Sequence, residues 1–140
     1  MNRIMVAGSA VLLSLLMLGC VPSSPNSTSV ELANKTSFPL KVKVVYGSDQ
    51  NVLQAILETV GQELDYTIQP GATQSFSRDC KQLQAIEIQD AKLSVLGDIG
   101  PSSDTRVFRD GNDFGCGDTI TFTFTQSISA TELDIAFDTH

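Results

Sequence analysis

Between positions 119 and 125 the chain reads Thr119-Ile120-Thr121-Phe122-Thr123-Phe124-Thr125. Apolar side chains recur at every second position, which is the side-chain period of a β-strand with one buried face. The threonines between them are β-branched, and such side chains suit the outer surface of a sheet. The segment therefore predicts a strand whose aromatic face packs in a core.

Shorter segments with the same period lie on both sides of this run. Turn signals separate several of them. Pro70-Gly71 is typical of a turn because Pro fixes φ and Gly accepts positive φ, and Asp90-Ala91 permits another. Around these turns we predict further strands at residues 30–32, 40–46, 64–68, 73–78, 86–88, 93–95, 107–108 and 133–137.

The number and spacing of these segments indicate the fold class. Seven to nine short strands separated by turns are typical of an all-β domain, here an antiparallel β-sandwich or a small barrel. The strands do not alternate regularly with helices, which argues against a parallel, doubly wound sheet. We expect a single domain over residues 30–140.

One segment has a helical period instead. Between residues 48 and 64 the apolar side chains fall on one helical face, which predicts a short helix after the second strand. Ser48 or Asp49 would cap its start, and Gly61 lies near its end. A hairpin or an irregular excursion is the alternative. The predicted apolar face comprises Val52, Ile56, Leu57, Val60 and Leu64, with Leu53 at its edge.

Composition and net charge indicate which classes of partner the protein can bind. The 140-residue chain is 41% hydrophobic and 18% charged, which is an ordinary globular mixture. Nine Lys and Arg against sixteen Asp and Glu give a net charge of −7. Because phosphate binding needs clustered cations, we expect no nucleic-acid partner.

The first nineteen residues have the pattern of a secretory signal peptide. Arg3 supplies a positive start, and residues 4–18 carry no charge. This apolar run is shorter than the roughly 20 residues of a spanning helix. We therefore expect residues 1–19 to be removed on export.

Leu16, Leu18, Gly19 and Cys20 together resemble the lipobox of bacterial lipoproteins. The resemblance implies that the signal is cut before Cys20, that its sulfur carries diacylglycerol, and that the new N-terminus is acylated. The chain departs from the family pattern at Met17 and Leu18, where Leu and a small residue are preferred. An uncleaved anchor, or secretion with Cys20 incidental, remains the alternative.

Lipidation at Cys20 would place the protein in the bacterial cell envelope, with the membrane as a partner and the domain outside the cytoplasm. Val21 stands where Asp commonly retains lipoproteins at the inner membrane, so the resemblance favours the outer membrane. Residues 20–29 are rich in Ser and Pro, which predicts a flexible tether.

The two remaining cysteines, Cys80 and Cys116, are predicted to form a disulfide, because an exported chain reaches an oxidising compartment. A zinc site would need more ligands at closer spacing. A cysteine nucleophile would need a histidine, and the single histidine is His140.

The loop at residues 110–118 is the one segment whose composition suggests ligand chemistry. Calcium prefers six to eight oxygen ligands on a pliable loop. Phe114 and Thr121 stand where an EF-hand loop has ligands, and a solvated turn is the simpler interpretation. The candidate calcium ligands are Asp110, Asn112, Asp113 and Asp118.

These observations favour a binding or structural module of the envelope over an enzyme. We expect no cofactor, and the partner would be an envelope protein that the sequence does not identify. The alternatives are a calcium-binding module using residues 110–118 and, less favoured, a small hydrolase. Segments at residues 34–40, 70–73 and 114–118 look like parts of small exported bacterial proteins with a lipobox and one β domain, a resemblance that carries over no functional residue.

Overall fold

A computed structural model describes residues 26–140, which form nine strands and one helix. Most of these residues lie in strands, as their alternating pattern predicts. The signal peptide predicted at residues 1–19 and Cys20 lie outside the described residues. The elements are β1 Ser27–Asn34, β2 Leu40–Gly47, α1 Gln54–Val60, β3 Gln62–Ile68, β4 Thr73–Asp79, β5 Ala85–Leu93, β6 Ser102–Ser103, β7 Phe108–Arg109, β8 Thr119–Gln126 and β9 Leu133–Thr139.

The strands form two sheets. The first has the order β4-β1-β8-β9, and the second has the order β3-β2-β5-β6, with β7 also paired to β5. The sheets do not close into a barrel, so the predicted sandwich is confirmed. All strand pairs are antiparallel except β1 and β8, which run parallel from Ser29 beside Thr119 to Asn34 beside Phe124. This one parallel pair departs from the predicted antiparallel arrangement.

The core lies between the two sheets. Ile120, Phe122 and Phe124 of β8 are fully buried there, as their period predicts. They pack with apolar side chains from both sheets, such as Leu32 of β1 and Ile88 of β5. Burial of these side chains supplies the main stabilisation, at about 25 cal/mol per Å² of apolar surface.

The helix is shorter than predicted. It spans seven residues, Gln54–Val60, and Gly61 ends it as expected. Leu57 is its one buried residue, packed on Val45, Ala85 and Val107 at the outer face of the second sheet.

Three further details of the predicted helix were wrong. Leu53, rather than Ser48 or Asp49, occupies the N-cap position, and no side chain caps the helix there. Leu64 belongs to β3. Ile56 is 50% exposed and Val60 is 68% exposed, because a helix of only about two turns contacts the sheet along one narrow line.

Asp90-Ala91 does not form the predicted turn. Strand β5 continues through these residues, and the pairing with β2 shifts register between Lys41 and Lys43. Two residues of β5 therefore lie opposite Val42, which is a β-bulge. Asp90 adopts φ 48°, and an Asp tolerates this left-handed conformation better than most residues. The left-handed conformation that makes Asp common in turns is therefore used here in a β-bulge.

Strand β1 begins at Ser27, three residues before the domain start predicted at Val30. Ser27, Thr28 and Ser29 pair with residues 77–79 of β4, and Thr28 is fully buried. Their polar side chains suggested a tether, but backbone pairing to β4 does not depend on side-chain hydropathy. The folded region therefore includes Ser27, and the predicted boundary at Val30 was too late.

The two ends of the sandwich differ. We call the end where β1 begins the proximal end; the strand termini that meet there are Ser27, Gly47, Asp79, Ala85 and Thr119. A hydrogen bond of 2.7 Å from Arg78 Nε to Tyr46 Oη joins the two sheets near this end. The opposite, distal end carries the turns that follow Asn34, Leu93 and Gln126.

Candidate functional site

A groove opens at the proximal end, between helix α1 and the last residues of β4. Its volume is about 490 Å³, and apolar residues of α1 form one wall while Arg78 and Gln82 form the other. The groove exists because the short helix covers only part of the sheet edge and leaves a gap beside β4. Its size falls within the range of small-molecule or peptide-binding clefts.

Arg78 is held in a fixed position on the groove wall. In addition to the Tyr46 contact, its Nη1 donates to the carbonyl oxygen of Ser77 at 2.8 Å. Its guanidinium carbon lies 5.4 Å from the ring centre of Tyr46 and 5.3 Å from that of Phe76. These cation–π contacts leave the charge at the groove surface, partly exposed, where it can meet a polar partner.

The disulfide predicted between Cys80 and Cys116 is present, with Cα atoms 5.4 Å apart. It ties the end of β4 to the loop that precedes β8. The backbone N–H of Cys80 donates to the carbonyl oxygen of Asn26 at 2.8 Å. The start of the described chain, at Asn26, is therefore held next to the disulfide at Cys80.

The acidic loop at residues 110–118 folds around its own hydrogen bonds. The Asp113 carboxylate accepts from Arg106 Nη2 at 2.6 Å and from the Arg109 backbone N–H at 2.8 Å. The hydrogen bond from Arg106 lowers the pKa of Asp113 below its usual value. Asp118 Oδ2 accepts from the Gly115 backbone N–H at 2.7 Å.

These contacts occupy two of the four candidate calcium ligands. Asn112 is exposed and Asp110 is half-buried, while Asp113 forms an ion pair with Arg106. Over residues 26–140 no three His, Cys, Asp or Glu side chains are grouped so as to hold a metal ion. Calcium binding by Asp110, Asn112, Asp113 and Asp118 therefore stays a prediction that the loop geometry does not favour.

Glu87 is a residue whose environment the sequence did not reveal. It alternates with apolar residues in β5, as an exposed polar residue would, yet it is fully buried beside α1. Gln89 Nε2 donates to its Oε1 at 2.8 Å, and its Oε2 has no hydrogen-bond partner among the described residues. Burial, together with the nearby charges of Glu58 and Asp104, raises the pKa of Glu87.

His140, the one histidine, pairs with the start of β8 through its backbone. Its N–H donates to the Thr119 carbonyl oxygen at 3.1 Å, and its carbonyl oxygen accepts from Thr119 N–H at 2.8 Å. The residue is exposed and is not among those that line the groove. A small hydrolase stays a prediction, and the described residues that line the groove include no histidine to act as its base.

Within residues 26–140, no helix has the length and hydropathy that a membrane span requires.

Comparison with known proteins gives similarities of structure alone. No protein-family model matches the sequence, and no curated protein matches it either. A protein from Eubacterium rectale, determined by NMR, is 14% identical over 79% of this chain and 88% of that chain, with a TM-score of 0.47.

Two crystal structures show weaker similarity. The T6SS lipoprotein TssJ1 from Pseudomonas aeruginosa is 12% identical, with a TM-score of 0.42 over 82% of this chain and 98% of that chain. The cytotoxin suilysin from Streptococcus suis is 5% identical, with a TM-score of 0.42 over 81% of this chain and 23% of that chain. None of the three carries an inference about the function of this chain.

Proposed function

We propose that this protein is a lipid-anchored binding module of the bacterial cell envelope and that it has no catalytic activity. The lipid on Cys20 holds it to a membrane, the outer membrane in bacteria that have two. The folded domain stands outside the cytoplasm and binds an envelope protein through its surface.

The observation that carries this proposal is the position of the first strand. Cys20 ends a segment that resembles the lipobox, and the folded domain begins at Ser27. Asn26, six positions after Cys20, already accepts a backbone hydrogen bond from Cys80. A diacylglycerol and an N-terminal acyl chain at Cys20 would hold the domain firmly, since each buried CH₂ adds about 0.8 kcal/mol.

The disulfide supports export. Disulfides persist in oxidising compartments and are rare in the reducing cytosol. Pairing of Cys80 with Cys116 leaves Cys20 as the remaining cysteine of the chain, free to carry lipid. The cysteine chemistry and the lipobox resemblance therefore agree.

The residues around the groove support binding over catalysis. Of the described residues that line it, none is a histidine or cysteine, and Ser48 has no histidine beside it to act as a base. Arg78 and Tyr46 instead offer a charge and a hydroxyl group next to apolar surface, the usual composition of a recognition site.

The test is metabolic labelling with a radioactive or clickable fatty acid. The native chain is expected to take up label and to sediment with membranes. Cys20→Ser is expected to lose both properties, because the thioether bond to the lipid cannot form. Ser24→Ala is the matched control, and it should label like the native chain. Undiminished labelling of Cys20→Ser would overturn the proposal.

A further inference from the structure

The exposed side of helix α1 is apolar. Leu53, Ile56 and Val60 are 70%, 50% and 68% exposed. Their spacing of three and four residues puts them on one side of the helix axis. The native fold leaves this side uncovered although it buries Leu57 on the adjacent side.

Two clefts flank α1, and the residues that line them show which way its apolar side faces. Gln54 and Glu58 face a cleft they share with Gln89 and Asp104, toward the middle of β5. Val60 lines the proximal groove with Arg78. The polar side of α1 therefore faces the middle of the sheet, and the apolar side faces the proximal end.

The chain that leads to Cys20 leaves the domain at this same end. The carbonyl oxygen of Asn26 accepts a hydrogen bond from the backbone N–H of Cys80. Gln82, two residues after Cys80, lines the groove with Val60. Asn26 lies six positions after Cys20, so the connecting chain reaches at most about 22 Å, whatever its conformation. The eight-residue strand β2 has seven steps along its length and spans about 23 Å from the proximal to the distal end.

The geometry points to the membrane as the surface that covers Leu53, Ile56 and Val60. This inference rests on the proposed lipid anchor at Cys20, which brings a bilayer to the proximal end. The three side chains enter the interface between headgroups and acyl chains, and the proximal groove opens toward the lipid. The anchor and α1 together fix which face of the domain meets the membrane and leave the distal end for other contacts.

Tryptophan fluorescence tests this contact, because the chain contains no Trp. The mature, lipidated protein carrying Ile56→Trp is reconstituted into phosphatidylcholine vesicles with brominated acyl chains. We expect a blue-shifted emission and at least twofold quenching relative to unbrominated vesicles. The matched control is Ile99→Trp at the distal end, where Ile99 is 73% exposed, and it should show neither effect.

A second variant separates the apolar contact from mere proximity. Leu53→Ser with Val60→Ser, added to Ile56→Trp, should reduce the quenching to the Ile99→Trp level while flotation with vesicles persists. Unchanged quenching in this variant would overturn the inference, as would equal quenching at positions 56 and 99.

The proposed function fails in a different way. Flotation of the lipidated Ile56→Trp chain without quenching of its tryptophan would refute membrane contact by α1 and leave the anchor standing. Absence of lipid on Cys20, seen by mass spectrometry, would refute both.

Discussion

The carboxyl group of Glu87 lies where β5 passes beneath helix α1, with Val45 of β2 beside it in the sheet. Its Oε2 is buried and has no hydrogen-bond partner among the described residues, while its Oε1 accepts from Gln89 Nε2. An ionised carboxylate there loses hydration without full compensation, which destabilises the folded state. The position is the clearest local weakness within the described part of the sheet.

Glu87→Gln is expected to stabilise the protein at neutral pH by about 1–3 kcal/mol, because it removes the buried charge. In the native protein, burial raises the pKa of the Glu87 carboxyl group. The folded state therefore keeps the Glu87 proton to a higher pH than the unfolded state does. Native stability therefore falls as the pH rises from about 4 through the raised pKa, and the variant should lack this decline.

Glu63→Gln provides the control for this prediction. Glu63 is exposed and flanks the other side of Val45, on β3. Its substitution should change the free energy of unfolding by no more than about 0.5 kcal/mol. Urea denaturation between pH 4 and pH 8 measures both variants. A stability that falls equally with pH in Glu87→Gln would show that other groups cause the decline.

At the scale of the element, helix α1 depends on one buried contact. Seven residues are too few for an isolated helix to be stable in water, so packing must hold it. Leu57 is 1% exposed and fits among Val45, Ala85 and Val107. Ile56, its neighbour in sequence, is half exposed and contributes little to folding.

Leu57→Ala is expected to lower the free energy of unfolding by about 2–4 kcal/mol, through lost burial and the cavity left behind. Ile56→Ala should change it by less than about 0.5 kcal/mol, since that side chain is half exposed in the free domain. Chemical denaturation of the domain without membranes checks both values. Equal losses would mean that Ile56 also packs within the domain.

Local sequence patterns predicted most strands but not the contacts between distant elements. Alternation identified β8 correctly, because one face of that strand is buried and the other is not. The same reasoning misplaced Ile56, Val60 and Glu87, since helical or strand period cannot show how much of a sheet a short helix covers. The bulge at Asp90 depends on pairing with β2, which no local signal encodes.

For the whole molecule, the features at the proximal end form a connected group. The start of β1, the disulfide, the groove and α1 all lie there, although they come from distant parts of the sequence. The pairing of Cys80 with Cys116 could be predicted from counting and compartment. Their location beside Asn26 could not, because it requires the pairing of β1 with both β4 and β8.

Replacing both Cys80 and Cys116 with Ala should lower the free energy of unfolding by about 2–4 kcal/mol, because the unfolded chain gains the freedom that the bridge removes. The comparison is made in unlipidated protein carrying Cys20→Ser, so that both samples are soluble and only one has the bridge. No difference in the denaturation midpoint would show that the bridge does not stabilise the domain.

The proposed protein is exported by a signal that is then removed, and its mature chain combines a lipid anchor with a disulfide-linked sandwich. The most direct measurement is the intact mass of the native chain purified from bacterial membranes, before and after reduction. We expect a chain that begins at Cys20 with its acyl groups attached and that gains two hydrogens on reduction. A chain that still begins at Met1, or that carries an unmodified Cys20, would contradict it.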